Sequence, residues 1–158
     1  MIKVGILTVS DSCSVQERED VSGKTIREML AGEKFEICDY KIVADEHREI
    51  RKDLIHFADD VKVDIVFTTG GTGLGPRDVT PEATAEVCQR MVPGLAEMMR
   101  LEGLKKTKNA ILSRAASGIR GNTLIINLPG SPKAVRECLE AVIDIVEHAV
   151  DMLAGKGH

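Results

Sequence analysis

Four glycines crowd the segment Gly70-Gly71-Thr72-Gly73-Leu74-Gly75, between an apolar, β-branched run and a helix start. The run, Val63-Asp64-Ile65-Val66-Phe67, reads as a buried strand. Thr80 and Pro81 read as the N-cap and first residue of the helix. A strand that empties through glycines into a helix can close backbone N–H groups on an anion at the helix N-terminus. The loop also carries Arg77 and Asp78, so phosphate with a metal is the first chemistry to test. The plain alternative is a sharp structural turn, since glycine supplies positive φ wherever a chain bends.

Two common glycine motifs are excluded. Gly70 and Gly75 have the spacing of a nucleotide-binding P-loop, but Pro76-Arg77 stand where Lys and Ser/Thr belong. Gly23-Lys24-Thr25 resembles that motif's second half, yet Arg18 occupies the place of its first glycine. The dinucleotide fingerprint fails as well, because Pro76 replaces its third glycine.

The 158 residues suit one domain, of a size that typically buries about 70% of its unfolded surface. Residues 1–158 are therefore expected to form a single domain. With no tryptophan, one tyrosine and three phenylalanines, the core must be aliphatic, and base stacking has little to work with. A net charge of −4 argues against nucleic-acid binding, so any phosphate must be held by local donors. Cys13, Cys38, Cys88 and Cys138 lie far apart and read as reduced cytoplasmic thiols. Cys138 falls on an apolar helix face. Cys13 falls in a polar loop, either reactive or a bystander. Met1-Ile2-Lys3-Val4 enters a strand directly, so no signal peptide is expected, and no apolar run suggests a membrane span.

Along the chain, strands are expected over Ile2–Val9, Phe35–Val43 and Val63–Phe67. Helices are expected over Val21–Leu30, Glu46–Val61, Thr80–Met91 and Leu95–Leu104, with a loop over 10–20 and a helical turn at Ala110–Arg114. Ala115–Ile119 and Asn122–Leu128 flank Arg120-Gly121 as a hairpin, and a last helix runs from Ser131-Pro132 to Leu153. The alternation predicts an α/β fold: three α/β/α layers around a mostly parallel sheet with one antiparallel edge strand.

Ligands of such sheets bind beyond the carboxyl ends of the strands. Those ends are Ser10-Asp11, Ala44-Asp45, the glycine loop with Asp78, and Leu128-Pro129-Gly130-Ser131. One rim would then hold three carboxylates and two glycine turns. Carboxylates beside phosphate loops are how Mg²⁺ is usually held. Each residue also has a plainer reading. Asp45 could merely cap a helix, Asp11 could make a local turn, and Arg77, Arg114, His47 and His56 could be solvated charges. No Ser/His/Asp or Cys/His grouping points to covalent catalysis.

Thr69-Gly70-Gly71-Thr72-Gly73, continued by Pro76-Arg77-Asp78-Val79-Thr80-Pro81-Glu82-Ala83-Thr84, resembles the signature loop of the molybdopterin adenylyltransferases of the MogA/MoaB type. Leu112-Ser113-Arg114 with Gly118-Ile119-Arg120-Gly121, and Leu124 to Pro132, resemble that family's downstream blocks, and Ser10-Asp11 fits its first loop. The competence-damage family has a related loop that continues instead with paired aspartates. The resemblance implies a molybdopterin-binding α/β/α fold, a homotrimer, and transfer of AMP from Mg·ATP to the terminal phosphate of molybdopterin with release of pyrophosphate. Its product would pass to the protein that inserts molybdate. It implies Asp45 and Asp78 as the catalytic, Mg²⁺-holding pair, although Ala44 stands where many relatives have proline. Ser10, Asp11, Gly70, Gly71, Thr72, Gly73, Ser113, Pro129, Gly130 and Ser131 become binding residues for molybdopterin and nucleotide, with Arg77 or Arg114 balancing developing charge. A non-catalytic molybdopterin-binding protein of the MoaB type and a nucleotide phosphohydrolase remain the alternatives.

Overall fold

A computed structural model describes residues 1–156; His158, which sequence leaves unassigned, lies outside the described residues. The strands are β1 (Ile2–Val9), β2 (Phe35–Val43), β3 (Ile65–Thr69), β4 (Arg90–Met91), β5 (Ser117–Arg120) and β6 (Thr123–Leu128). The helices are α1 (Asp11–Ser14), α2 (Val21–Met29), α3 (His47–Ile55), α4 (Thr80–Val87), α5 (Pro93–Leu104) and α6 (Pro132–Leu153). The strands form one six-stranded sheet in the order β2-β1-β3-β6-β5-β4. β2, β1, β3 and β6 are parallel, and β5 returns antiparallel to β6.

The burial pattern explains the layers. β3 and β6 are buried at every residue and β1 at all but one, as strands covered on both faces must be. β2, with one neighbour, alternates between half-buried and exposed positions over its first half. On one face, Ile26, Leu30, Leu95 and Met99 pack with Val135, Leu139, Val142 and Val146, whose spacing forms the apolar stripe of α6. On the other, Ile50, Leu54, Phe57, Ala83 and Val87 pack against Leu7, Val66 and Ile125. The fold is the expected three-layer α/β/α sandwich.

Local differences have local causes. The helix expected over Thr80–Met91 stops at Val87, and Cys88 turns extended (φ −86°, ψ 137°). Val87 and Cys88 are weak helix formers, and Val92 precedes Pro93, which disfavours helix at that residue. Gln89 N–H then donates to Ile119 O at 2.9 Å and Val92 N–H to Ser117 O at 2.8 Å. The two-residue β4 thus covers β5, which places the antiparallel strand one position inside the edge. The helix expected over Glu46–Val61 begins at His47 and widens into a π turn over His56–Val61, ended by Lys62 in the left-handed region (φ 59°). The loop over 10–20 contains the short α1, capped by Ser10, whose Oγ accepts from Cys13 N–H at 3.2 Å.

Asn127 ties the layers together from a fully buried position. Its Nδ2 donates to Thr68 Oγ1 at 3.0 Å and Thr84 Oγ1 at 2.9 Å, and its Oδ1 accepts from Ala116 N–H at 3.1 Å. Asn127→Ala strands these partners in the core and is expected to cost about 2–4 kcal/mol. Urea unfolding should give a lower midpoint with an unchanged slope.

Candidate functional site

The glycine loop is pinned between neighbouring strand ends. Thr69 Oγ1 donates to Pro129 O at 2.7 Å, and Gly70 N–H donates to Leu128 O at 3.3 Å. Gly70 (φ +94°) lies so close to β1 that a Cβ there would sit 2.2 Å from Val9 O. Gly71 (φ +68°) likewise leaves no room, since its Cβ would sit 2.2 Å from Thr80 Oγ1. Thr80 corrects the sequence reading. The cap position is Val79, and Thr80 is the first helical residue. Its hydroxyl donates back to Gly70 O at 2.9 Å, and its N–H to Gly71 O at 3.1 Å. It locks the loop to α4 instead of capping the helix.

Asp11 and Asp45 meet at this rim, and the charge of Asp78 reaches Asp45. Asp11 N–H donates to Asp45 Oδ2 at 2.9 Å, and Asp45 N–H donates to Asp11 Oδ1 at 2.9 Å. Glu46, not Asp45, holds the cap position of α3, and makes no side-chain capping bond. Asp78 Oδ2 accepts from Gly75 N–H at 2.9 Å, which closes the loop on its own carboxylate. Burial pushes the Asp45 carboxyl above the usual range, opposed by its bond from Asp11 and reinforced by the charges of Asp11 and Asp78. Asp11 moves the other way: the Arg77 guanidinium beside it, then the Asp45 N–H, hold its carboxyl low.

Both arginines suggested for charge balance are engaged by the protein. Arg77 Nε and Nη2 reach the two Asp11 oxygens at 2.7 and 3.0 Å, and Nη2 also reaches Glu46 Oε1 at 2.7 Å. Arg114 Nε donates to Gly73 O at 2.8 Å, its Nη2 to Asp78 O at 2.6 Å, and its Nη1 pairs with Glu82. Arg114 is a staple across the back of the loop. By taking up loop carbonyls it leaves less negative potential for an anion to meet. Arg100, unremarked in the sequence, holds Ser113 O and Ala115 O at 3.2 and 3.1 Å. No periodicity marks such side-chain-to-carbonyl bonds.

Two cavities flank the loop. The larger, about 560 Å³, is lined by Gly71, Thr72, Gly73, Asp78, Ser113 and Pro129 among others. The smaller, about 360 Å³, is lined by Ser10, Cys13, Asp20, Ser22, Thr69 and Gly70 among others. They share Gly130 and Ser131. Ser131 caps α6, its Oγ accepting from Ala134 N–H at 3.3 Å, so a long helix opens at this common wall. Asp45 lines neither cavity but stands behind Gly71, whose Cβ position lies 3.2 Å from Asp45 Oδ1. No group of three or more His, Cys, Asp or Glu side chains converges to hold a metal among the described residues. Asp45 and Asp78 therefore do not form a closed metal cage. Two carboxylates do suit Mg²⁺ that arrives with phosphates, since it keeps its other positions for phosphate oxygens and water. No described helix is long and apolar enough to cross a membrane.

Residues 5–148 match the family described as "Probable molybdopterin binding domain". The chain is 50% identical over 156 residues to the molybdopterin adenylyltransferase of Helicobacter pylori strain J99, covering 98% of this chain and 89% of that protein. It is 37% identical over 156 residues to the molybdopterin adenylyltransferase of Escherichia coli K12, covering 94% and 80%. The crystal structure of the molybdopterin biosynthesis enzyme MoaB from Thermus thermophilus superposes with a TM-score of 0.93 at 55% identity, covering 99% of this chain and 98% of that one.

The burial of Asp45 gives a pH-dependent prediction. Its carboxyl binds a proton more readily folded than unfolded, so its ionised form weakens the fold above the folded pKa. Asp45→Asn should raise Tm at pH 7, by on the order of 2 °C. That gain should shrink as pH falls and the wild-type side chain becomes protonated in both states. Calorimetric scans of both proteins over falling pH check it.

Proposed function

The chain belongs to the molybdopterin-binding domain family, and from that membership we propose that it is a molybdopterin adenylyltransferase of molybdenum cofactor biosynthesis. The observation that carries the reading is the pair of cavities that share the Gly130-Ser131 wall, with Asp78 lining the larger and Asp45 standing behind Gly71. Two phosphorylated ligands, one per cavity, would bring their phosphates together at the glycine loop. The terminal phosphate of molybdopterin would attack the α-phosphorus of ATP. A new P–O bond forms, the α–β bridge breaks, and pyrophosphate leaves with the electron pair.

Such a transfer needs alignment and charge neutralisation more than a nucleophilic side chain. Backbone N–H groups of Gly71, Thr72 and Gly73 and the α6 N-terminus would orient the phosphates, while Gly70, its N–H held by Leu128 O, would shape the turn. Ser10, Ser113, Pro129 and Ser131 would shape the two subsites, and Arg114 would keep the loop closed behind them. Asp45 and Asp78 would hold Mg²⁺, which when bound offsets phosphate charge. We further propose that the protein acts in the cytoplasm as one domain, assembles as a homotrimer, and hands its adenylylated product to the molybdate-inserting protein.

Incubation with molybdopterin and Mg·ATP should release pyrophosphate only when both are present. Binding of molybdopterin without release would favour the non-catalytic alternative, and pterin-independent loss of ATP would favour a hydrolase. Asp78→Asn should lower turnover by about a hundredfold or more while molybdopterin affinity stays within about threefold, as read by fluorescence titration. Near-normal turnover would remove Asp78 from the proposed pair. Light scattering after size exclusion should return three times the chain mass of 17.2 kDa.

A further inference from the structure

Arg77 is more extensively bonded than a surface residue needs to be for stability. Its side chain is 54% exposed, where single ion pairs contribute little. Yet it engages both oxygens of Asp11 and one of Glu46, and the second Asp11 oxygen also holds the Asp45 N–H. Asp45 lies just past β2, an edge strand with β1 as its single partner, so few backbone bonds restrain it. The nearby ladder ends with Ser10 N–H on Val43 O at 2.9 Å. Beyond that point, Asp45 is held by its two bonds with Asp11. Arg77 directly precedes Asp78 in the chain. It therefore links the loop that carries one acid to the strand ends that carry the other.

We propose that Arg77 is a positioning residue that sets the separation of Asp45 and Asp78 through Asp11, without contacting either substrate. The role assigned to that pair rests on the adenylyltransferase reading; the cross-tie itself does not. The placement also explains why a cation stands here at all. Asp11, Asp45, Glu46 and Asp78 bring four negative side chains to one rim, and without Arg77 between them Asp11 and Glu46 would repel. Asp11 belongs to the same device. Its oxygens accept from the guanidinium and the Asp45 N–H, so its carboxylate orients Asp45. The guanidinium fork matters, because an ammonium cannot span both Asp11 oxygens and Glu46 together.

Amide hydrogen exchange on the ligand-free protein decides the cross-tie independently of activity. In Arg77→Gln the Asp11 and Asp45 amides should exchange at least about tenfold faster, while Phe67 in β3 keeps its protection. Unchanged protection at Asp11 and Asp45 would overturn the proposal. Kinetics then test its consequence. Arg77→Gln should lower kcat by about tenfold or more with both KM values within about threefold, and Arg77→Lys should recover little of it. The double variant with Asp11→Asn should be no more than about threefold worse than the worse single, since both break one linkage. A tenfold rise in KM for Mg·ATP that Arg77→Lys reverses would mean direct phosphate contact and would contradict the proposal. Wild-type protein without pterin-dependent pyrophosphate release would sink the enzyme reading while leaving the exchange result to decide the cross-tie.

Discussion

Everything at the rim depends on the close approach of Gly70 to the last carbonyl of β1. The residue sits in the left-handed region with no space for a side chain against Val9 O. That contact brings the loop across the ends of β1 and β6 and lets Gly71 pass under Thr80. Thr80 then fixes where α4 begins, and Thr69 and Gly70 hold the Leu128-Pro129 end of β6. The wall between the two cavities is the result. On one side lie Gly70 and Ser10, on the other Gly71 and Asp78, with Gly130 and Ser131 common to both.

The charge arrangement costs stability for the sake of position. Asp45 is desolvated and near two like charges, which together disfavour its ionised form. The surrounding contacts absorb this by geometry. Asp11 and Asp45 exchange backbone N–H bonds, Arg77 bridges to the loop, and Arg114 gathers the loop carbonyls from behind. Active sites often keep such conflicts, because transferred phosphates need fixed groups that do not relax when they arrive.

Much of this was legible in the sequence, and the exceptions share a cause. The ends of β1 and β2 lie at the expected residues, because β-branched runs bounded by polar turns carry their own signal. The full length of α6 followed from one apolar stripe between Ser131 and Leu153. The rim residues could be named because parallel strands send their carboxyl ends to one side. What escaped depends on distant partners. β4 exists because β5 offers Ile119 O and Ser117 O to its flanks. Thr80 looks like a cap until Gly70 O is placed beside it. Arg77 and Arg114 allowed a reading as solvated charges and Arg100 gave no signal, since their bonds to Asp11, Gly73 and Ser113 join residues apart in the chain.

A crystal structure with molybdopterin and an ATP analogue carrying an α,β-methylene bridge tests the central claim most directly. The account predicts one ligand in each cavity, with the pterin phosphate and the α-phosphorus facing each other at the Gly70-Gly71 turn, about 3–3.5 Å apart. Asp45 and Asp78 should both lie beside the triphosphate with their bonds to Asp11 and Gly75 kept. Both ligands in one cavity, or phosphates remote from the two acids, would contradict it.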